Sequence, residues 1–207
     1  MKTNYSIPKT ALRLMPDVVC NIPGSVPCLY LTFDDGPIPG STEKILNVLK
    51  QYNVPASFFC TGKQVEVHPE IYRQIITQGH TTGNHSYSHT RLNVLHKKAF
   101  ISEIEKTATL VDSVLFRPPY GYITPAMSRI IALHYRIVLW DVMPGDFNSN
   151  TDAKTLFRNV KQHASNGSII VLHDSAPNIE NMLDCMKRVI EYYMRQGWQF
   201  LKVPSTF

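Results

Sequence analysis

From Cys28 onward the sequence alternates between short apolar runs and segments whose apolar residues recur every three or four positions. Runs of the first kind read as buried strands and segments of the second as amphipathic helices, and regular alternation of the two calls for a parallel sheet. Strands are expected near 28–33, 56–60, 81–84, 114–116, 135–141, 168–173 and 198–202. Helical spacing is seen in Ile45, Leu46, Leu49 and Tyr52 after a candidate N-cap at Ser41, then in Ile71, Ile75 and Ile76. It returns in Ile101, Ile104, Ala108 and Val111, in a short helix opened by Pro125, in Leu156, Val160 and His163, and in the long stripe from Ile179 to Tyr193. Seven strands and six helices fit either an open doubly wound sheet or a barrel. Both gather function at the carboxyl ends of the strands.

A chain of 207 residues, 43% hydrophobic and 18% charged, is long and apolar enough to bury one sizeable core, which excludes disorder. No apolar run reaches the length of a spanning helix. Residues 1–27 carry four prolines and no clean period, so they are expected as an extended lead-in packing on the domain, with Leu12, Leu14 and Met15 covering an apolar opening. Residues 28–207 form the domain itself. The first ten residues contain no signal-peptide core, so the chain as written carries no export address and is expected in the cytoplasm. The excess of five positive charges is scattered, without the aromatic-basic clustering of a nucleic-acid binder. Cys20, Cys28, Cys60 and Cys185 lack metal-knuckle or redox spacing, and whether any of them pair is left open.

The ends of the strands carry the chemistry. The first strand runs into Asp34-Asp35-Gly36-Pro37. Adjacent carboxylates on an extended chain point to opposite sides and suit two different tasks, one holding a cation and the other moving protons. A plain surface turn is the alternative reading, because Asp, Gly and Pro all form turns. After the third strand, His85 and His89 stand four apart, so that on a turn or helix they share a face and can grip one cation through their ring nitrogens. With one Asp they make three protein ligands and leave a position open, the pattern of a catalytic zinc site. The fourth strand runs into Arg117-Pro118-Pro119-Tyr120-Gly121, where an Arg can fork onto a carboxylate and two prolines stiffen a loop whose Tyr120 and Gly121 amides become fixed donors. The sixth ends in His173-Asp174, and Asp146-Phe147 follows the fifth. Asp146 can tune His173 as a proton carrier, while Asp174 is either a second partner or a helix cap.

Taken together, these segments resemble the five motifs of the NodB-homology polysaccharide deacetylases, carbohydrate esterase family 4, in order from about Cys28 to Phe200. The resemblance implies an α/β fold, a distorted (β/α)7 TIM-like barrel of a single domain, and removal of N-acetyl groups from N-acetylglucosamine-type glycans. By the same resemblance Asp34 is the catalytic base, Asp35, His85 and His89 hold the metal, and Arg117 tethers the base. The Tyr120 amide helps form the oxyanion hole, Asp146 supports the general acid His173, and Leu172 walls the acetyl pocket. Pro119, Tyr120, Phe147 and Leu172 are thereby expected at the substrate. The implied cofactor is one divalent ion, Zn2+ foremost, with Co2+, Ni2+ or Mn2+ as substitutes, and the implied partner is an N-acetylated glycan, not nucleic acid. Phe147 stands where the family commonly has Trp, and Met143 replaces a polar residue; both bear on specificity. Many family members act on the cell envelope, so the resemblance makes that location the alternative to the cytoplasm. Hydrolysis of a non-sugar amide and a catalytically silent sugar-binding homologue are the alternatives. A haloacid-dehalogenase-type phosphatase fits poorly, since its two carboxylates are separated by one residue. Which glycan is bound, and the oligomeric state, are not legible.

Overall fold

The structure is a computed structural model, which describes residues 15–91 and 96–205. Its central strand is β2 (Cys28–Asp34), buried along all seven residues. Residues alternate in direction along a strand, and β2 divides its side chains between two cores accordingly. Leu29, Leu31 and Phe33 join the layer between sheet and helices, whereas Cys28 and Tyr30 join the interior of the barrel. Thr32 and Asp34 continue the interior row, which is how an apolar strand delivers a carboxylate to its upper end.

All pairings among the named strands are parallel. The strands are β1 (Val18–Val19), β2, β3 (Ser57–Cys60), β4 (Thr81–Asn84), β5 (Leu115–Phe116), β6 (Arg136–Val138), β7 (Ser168–His173) and β8 (Gln199–Leu201), in the spatial order β1-β6-β5-β4-β3-β2-β7, with β8 also on β2. On one edge β2 pairs with β8 at its lower end and with β3 at its upper end, while the other edge carries β7. The helices among the described residues are α1 (Thr42–Tyr52), α2 (Gly62–Val67), α3 (Pro69–Thr77), α4 (Lys97–Ala108), α5 (Pro125–Ile131), α6 (Ala153–His163) and α7 (Ile179–Met194). Of the two architectures the alternation allowed, this is the distorted (β/α)7 barrel that the family resemblance implies.

The two ends of the sheet, β1 and β7, are brought together by side chains as much as by backbone. Asn21 bridges to Ser168 and Val142 to Ile170. At this seam the Asp141 carboxylate accepts hydrogen bonds from Asn21 Nδ2, Ser168 Oγ and the Ile169 N–H, each at 2.8 Å. Gly167, with φ of 84°, passes so near the lead-in that a Cβ there would fall 2.4 Å from the carbonyl carbon of Ile22.

Several local expectations are revised. Strand β1, only two residues long, is too short to carry a period, yet it lies within the segment read as an extended lead-in. Met15 is buried with Val18 and Cys20, whereas Leu12 and Leu14 lie outside the described residues. The helix expected around Ile71 is preceded by a separate one, α2, whose six residues are too few for helical spacing to register. Ser41 stands at the start of α1 without capping it, and its hydroxyl donates instead to the Asp174 carbonyl at 2.6 Å. Asp152 does cap α6, accepting from the Thr155 N–H at 2.7 Å. All four cysteines are buried and free.

Candidate active site

The upper ends of β2, β4, β6 and β7 open into a cleft of about 630 Å3, lined by Asp34, Asp35, His85, His89, Tyr120 and His173 among others. Asp34 is the last residue of β2, and the chain turns sharply at Asp35, where φ is 80°. That turn replaces the opposed directions expected of neighbouring strand residues, and both carboxylates reach the same cleft. His89 also has positive φ, at 57°, as does Ser86, so the two histidines meet on an irregular loop and not on a helix. Their rings are 4.9 Å apart between centroids.

Asp35, His85 and His89 each offer a ligand atom within 4.8 Å of the others. His85 is oriented from behind: its Nδ1 lies 2.8 Å from the Arg117 carbonyl, to which only a protonated Nδ1 can donate. Its Nε2 is therefore the acceptor that faces Asp35 Oδ1, at 3.6 Å, while His89 Nε2 approaches the same oxygen at 3.2 Å. Burial, and then the neighbouring His85, lower the pKa of His89 and favour the neutral imidazole that can coordinate. Burial opposes the charge on Asp35, yet its surroundings, the His85 and His173 imidazoles and the Ser175 hydroxyl, outweigh it and hold the carboxyl well below the usual range. Asp35 Oδ1 is buried and has no hydrogen-bond donor among the described residues. An anionic oxygen left so, facing two imidazole nitrogens, fits a cation between them. The donor set of one carboxylate and two imidazoles suits zinc or a similar ion.

Arg117 is the largest fully buried side chain. Its Nη1 donates to Asp34 Oδ1 at 2.7 Å and to Thr32 Oγ1 at 2.8 Å, while Nε and Nη2 donate to the Val138 and Leu139 carbonyls. The Phe59 ring lies 3.9 Å beneath the guanidinium. A buried charge held by a carboxylate and three further acceptors is well compensated, and it fixes Asp34 rigidly.

Across the cleft, His173 is the register partner of Asp34 on β7. Asp146 holds it twice, accepting from the backbone N–H through Oδ2 at 2.7 Å and meeting Nδ1 through Oδ1 at 3.0 Å. Burial works against the imidazolium. The charge and hydrogen bond of Asp146 outweigh it, with Asp34 and Asp35 behind them, and carry the pKa up to about 9.

The polyproline turn behaves differently from expectation. Gly121 N–H closes the turn onto the Pro118 carbonyl at 3.0 Å, so it is not a free donor. Tyr120, at φ of 59°, has no partner for its N–H among the described residues. Pro119 is buried within the turn and is not among the residues lining the cleft, whereas Phe147 lines it, half exposed, 6.4 Å from the His173 ring. Leu172 does not enter the cleft. Adjacent residues of β7 face opposite ways, and Leu172 belongs to the layer under the helices with Phe33 and Ile45, whereas Val171 shares the interior with Trp140. Strand alternation counted back from His173 points to Val171.

Residues outside the expected set also appear. Trp140, Arg91 and Pro177 line the cleft beside Met143, the residue expected to bear on specificity, and Ser175 donates to Asp35 Oδ2. Asp174 turns away from His173; its side chain accepts from Thr42 Oγ1 and lies against Gly36, and burial lifts its pKa to about 7.

The profile of the polysaccharide deacetylase family matches residues 21–137. The chain belongs to the polysaccharide deacetylase family. Among relatives in this deacetylase family is a peptidoglycan-N-acetylglucosamine deacetylase of Bacillus cereus, 34% identical over 185 residues that make up 86% of this chain and 67% of that protein. A chitooligosaccharide deacetylase of Rhizobium leguminosarum bv. trifolii is 33% identical over 156 residues, 72% of each chain. The crystal structure of a peptidoglycan N-acetylglucosamine deacetylase in complex with 4-naphthalen-1-yl-N-oxidanyl-benzamide superposes with a TM-score of 0.88 at 31% identity, covering 97% of each chain.

Proposed function

We propose that this polysaccharide deacetylase is a metal-dependent hydrolase that removes acetyl groups from N-acetylglucosamine units of a glycan. The observation that carries the reading is the placement of Asp34 and His173 as register partners on β2 and β7, with the Asp35, His85 and His89 ligand atoms converging beside them. Two proton carriers flanking a cation cradle are what amide hydrolysis needs, because one proton must leave the attacking water and another must reach the departing nitrogen. The relatives' names, one for peptidoglycan and one for chitooligosaccharides, share N-acetylglucosamine as the acylated sugar.

Asp35, His85 and His89 would hold the divalent ion, Zn2+ in the first instance. When bound, such an ion acts as a Lewis acid toward the acetyl carbonyl and the attacking water. Asp34, aligned by Arg117, takes a proton from that water as its oxygen joins the carbonyl carbon. The Tyr120 N–H is the amide available to the developing oxyanion, a contact that strengthens in the transition state. His173, kept protonated by Asp146, gives its proton to the nitrogen as the C–N bond breaks, leaving acetate and a free amine. Phe147 and Tyr120 offer exposed rings on which a sugar face can rest.

The hydroxamate in the crystal structure similar to this one is consistent with this reading, since an N-hydroxyamide is a chelating group. The test is acetate release, followed by mass spectrometry of the glycan, from chitooligosaccharides and from peptidoglycan strands with zinc supplied. Loss of one acetyl mass per modified sugar is expected. A metal-loaded protein that releases acetate from neither would overturn the assignment.

A further inference from the structure

Within the reading of the chain as a glycan deacetylase, we infer that Arg91 is a carboxylate-binding residue at the cleft mouth and selects glycans that carry a carboxylate beside the N-acetyl group. Arg91 is exposed and lines the cleft. Its guanidinium carbon lies 5.5 Å from the Tyr120 ring centroid and 5.4 Å from that of Tyr122. Both separations lie within cation–π range, so the two rings favour a guanidinium held at the cleft mouth. Among the described residues no carboxylate pairs with Arg91 and no hydrogen bond engages it. The carboxylates and imidazoles lining the cleft are already committed: Asp34 to Arg117, His173 to Asp146, and Asp35 to the two histidines.

Position sets the distance at which such a group acts. The Tyr120 ring that carries Arg91 also packs on His89, 4.7 Å between centroids. One aromatic ring therefore separates the Arg91 guanidinium from the metal-ligand cradle, and an anion bound there belongs to the deacetylated sugar or its immediate neighbour. A planar fork with two free N–H edges matches a carboxylate bidentately. A neutral glycan would leave it without a partner.

Three tetrasaccharides distinguish the outcomes: one of N-acetylglucosamine alone, and one alternating it with its 3-O-carboxyethyl ether, prepared either as the free carboxylate or as the carboxamide of the same shape. Affinity is measured by calorimetry on the zinc-loaded protein, with acetate release followed in parallel. The parent should bind the carboxylate form about five- to tenfold more tightly than the carboxamide at low salt, the range of a partly exposed charge-assisted pair. That preference should shrink as ionic strength rises. Arg91→Gln should abolish it, and Arg91→Lys, which keeps the charge without the fork, should retain a part. Equal affinity of the parent for the two forms, or an undiminished preference in Arg91→Gln, would overturn the inference. Failure to release acetate from all three glycans would instead count against the deacetylase reading, while the affinity comparison still judges Arg91.

Discussion

Arg117 joins the two halves of the site: its guanidinium donates to Asp34 at 2.7 Å and its carbonyl accepts from His85 Nδ1 at 2.8 Å. One buried residue thus aligns the proposed base through its side chain and a proposed metal ligand through its backbone. A substitution of Arg117 removes only the first of these contacts.

Asp34→Asn should retain the metal and lose most of the turnover, because the amide keeps the shape without accepting a proton. Arg117→Ala should lower activity through Asp34 and also cost about 3–5 kcal/mol of stability, the penalty for leaving a buried charge unpaired. In a double-mutant cycle on activity, the double variant should lose much less than the two single losses combined. Strict additivity would break the proposed link between them.

Chelation should abolish activity and a divalent ion restore it. His85→Ala or His89→Ala should each weaken zinc binding by well over tenfold, since even the outer partners of a metal site cost about 10- to 100-fold when removed. Metal content after dialysis, read by mass spectrometry, checks this independently of turnover. Zinc retention equal to that of the parent would remove these residues from the ligand set.

The alkaline side of the pH-rate profile should report His173. A general acid must hold its proton, so the rate should fall as pH rises through about 9, where burial is outweighed by Asp146. Asp146→Asn removes that charge and should move the limb to lower pH by about 1 unit or more. The linked effect on folding has the same sign. Stability gained from the raised pKa is fully present below 6.5 and is lost as pH rises through about 9. An unmoved alkaline limb in Asp146→Asn would show that His173 is not the group titrating there.

His173→Ala should damage N-acetyl sugar hydrolysis about a hundred- to ten-thousand-fold, yet affect nitrophenyl acetate far less, because a nitrophenolate departs without a proton. Parallel kinetics on the two substrates provide the comparison. Equal losses would move the role of His173 to a step before leaving-group departure.

The seam of the barrel should be separable from its chemistry. Asp141→Ala deletes three hydrogen bonds that tie the lead-in and β7 together, and is expected to cost about 2–4 kcal/mol in denaturant unfolding. Metal affinity should stay near that of the parent. A loss confined to activity, with unchanged stability, would mean that Asp141 belongs to the site.

Much of this protein is determined by its sequence alone. Period-2 and helical spacing define interactions within a few residues, so the alternation of strands and helices from Cys28 onward, the strand ends as the site, and Asp34, Asp35, His85, His89, Arg117, Asp146 and His173 as its candidates were all legible there. The tertiary structure decided whatever depends on contacts distant along the chain. The Asn21 to Asp141 hydrogen bond spans 120 positions, and the one from His85 to Arg117 spans 32. Neither leaves a local pattern, and nor does the approach of Arg91 to the Tyr120 and Tyr122 rings. The exchange of Leu172 for Val171 on the interior face has a different origin. Strand period alone places residues on alternate faces; once His173 is known to face the site it puts Val171 and not Leu172 on that face, and it is the tertiary structure, packing β7 between two cores, that fixes where His173 faces.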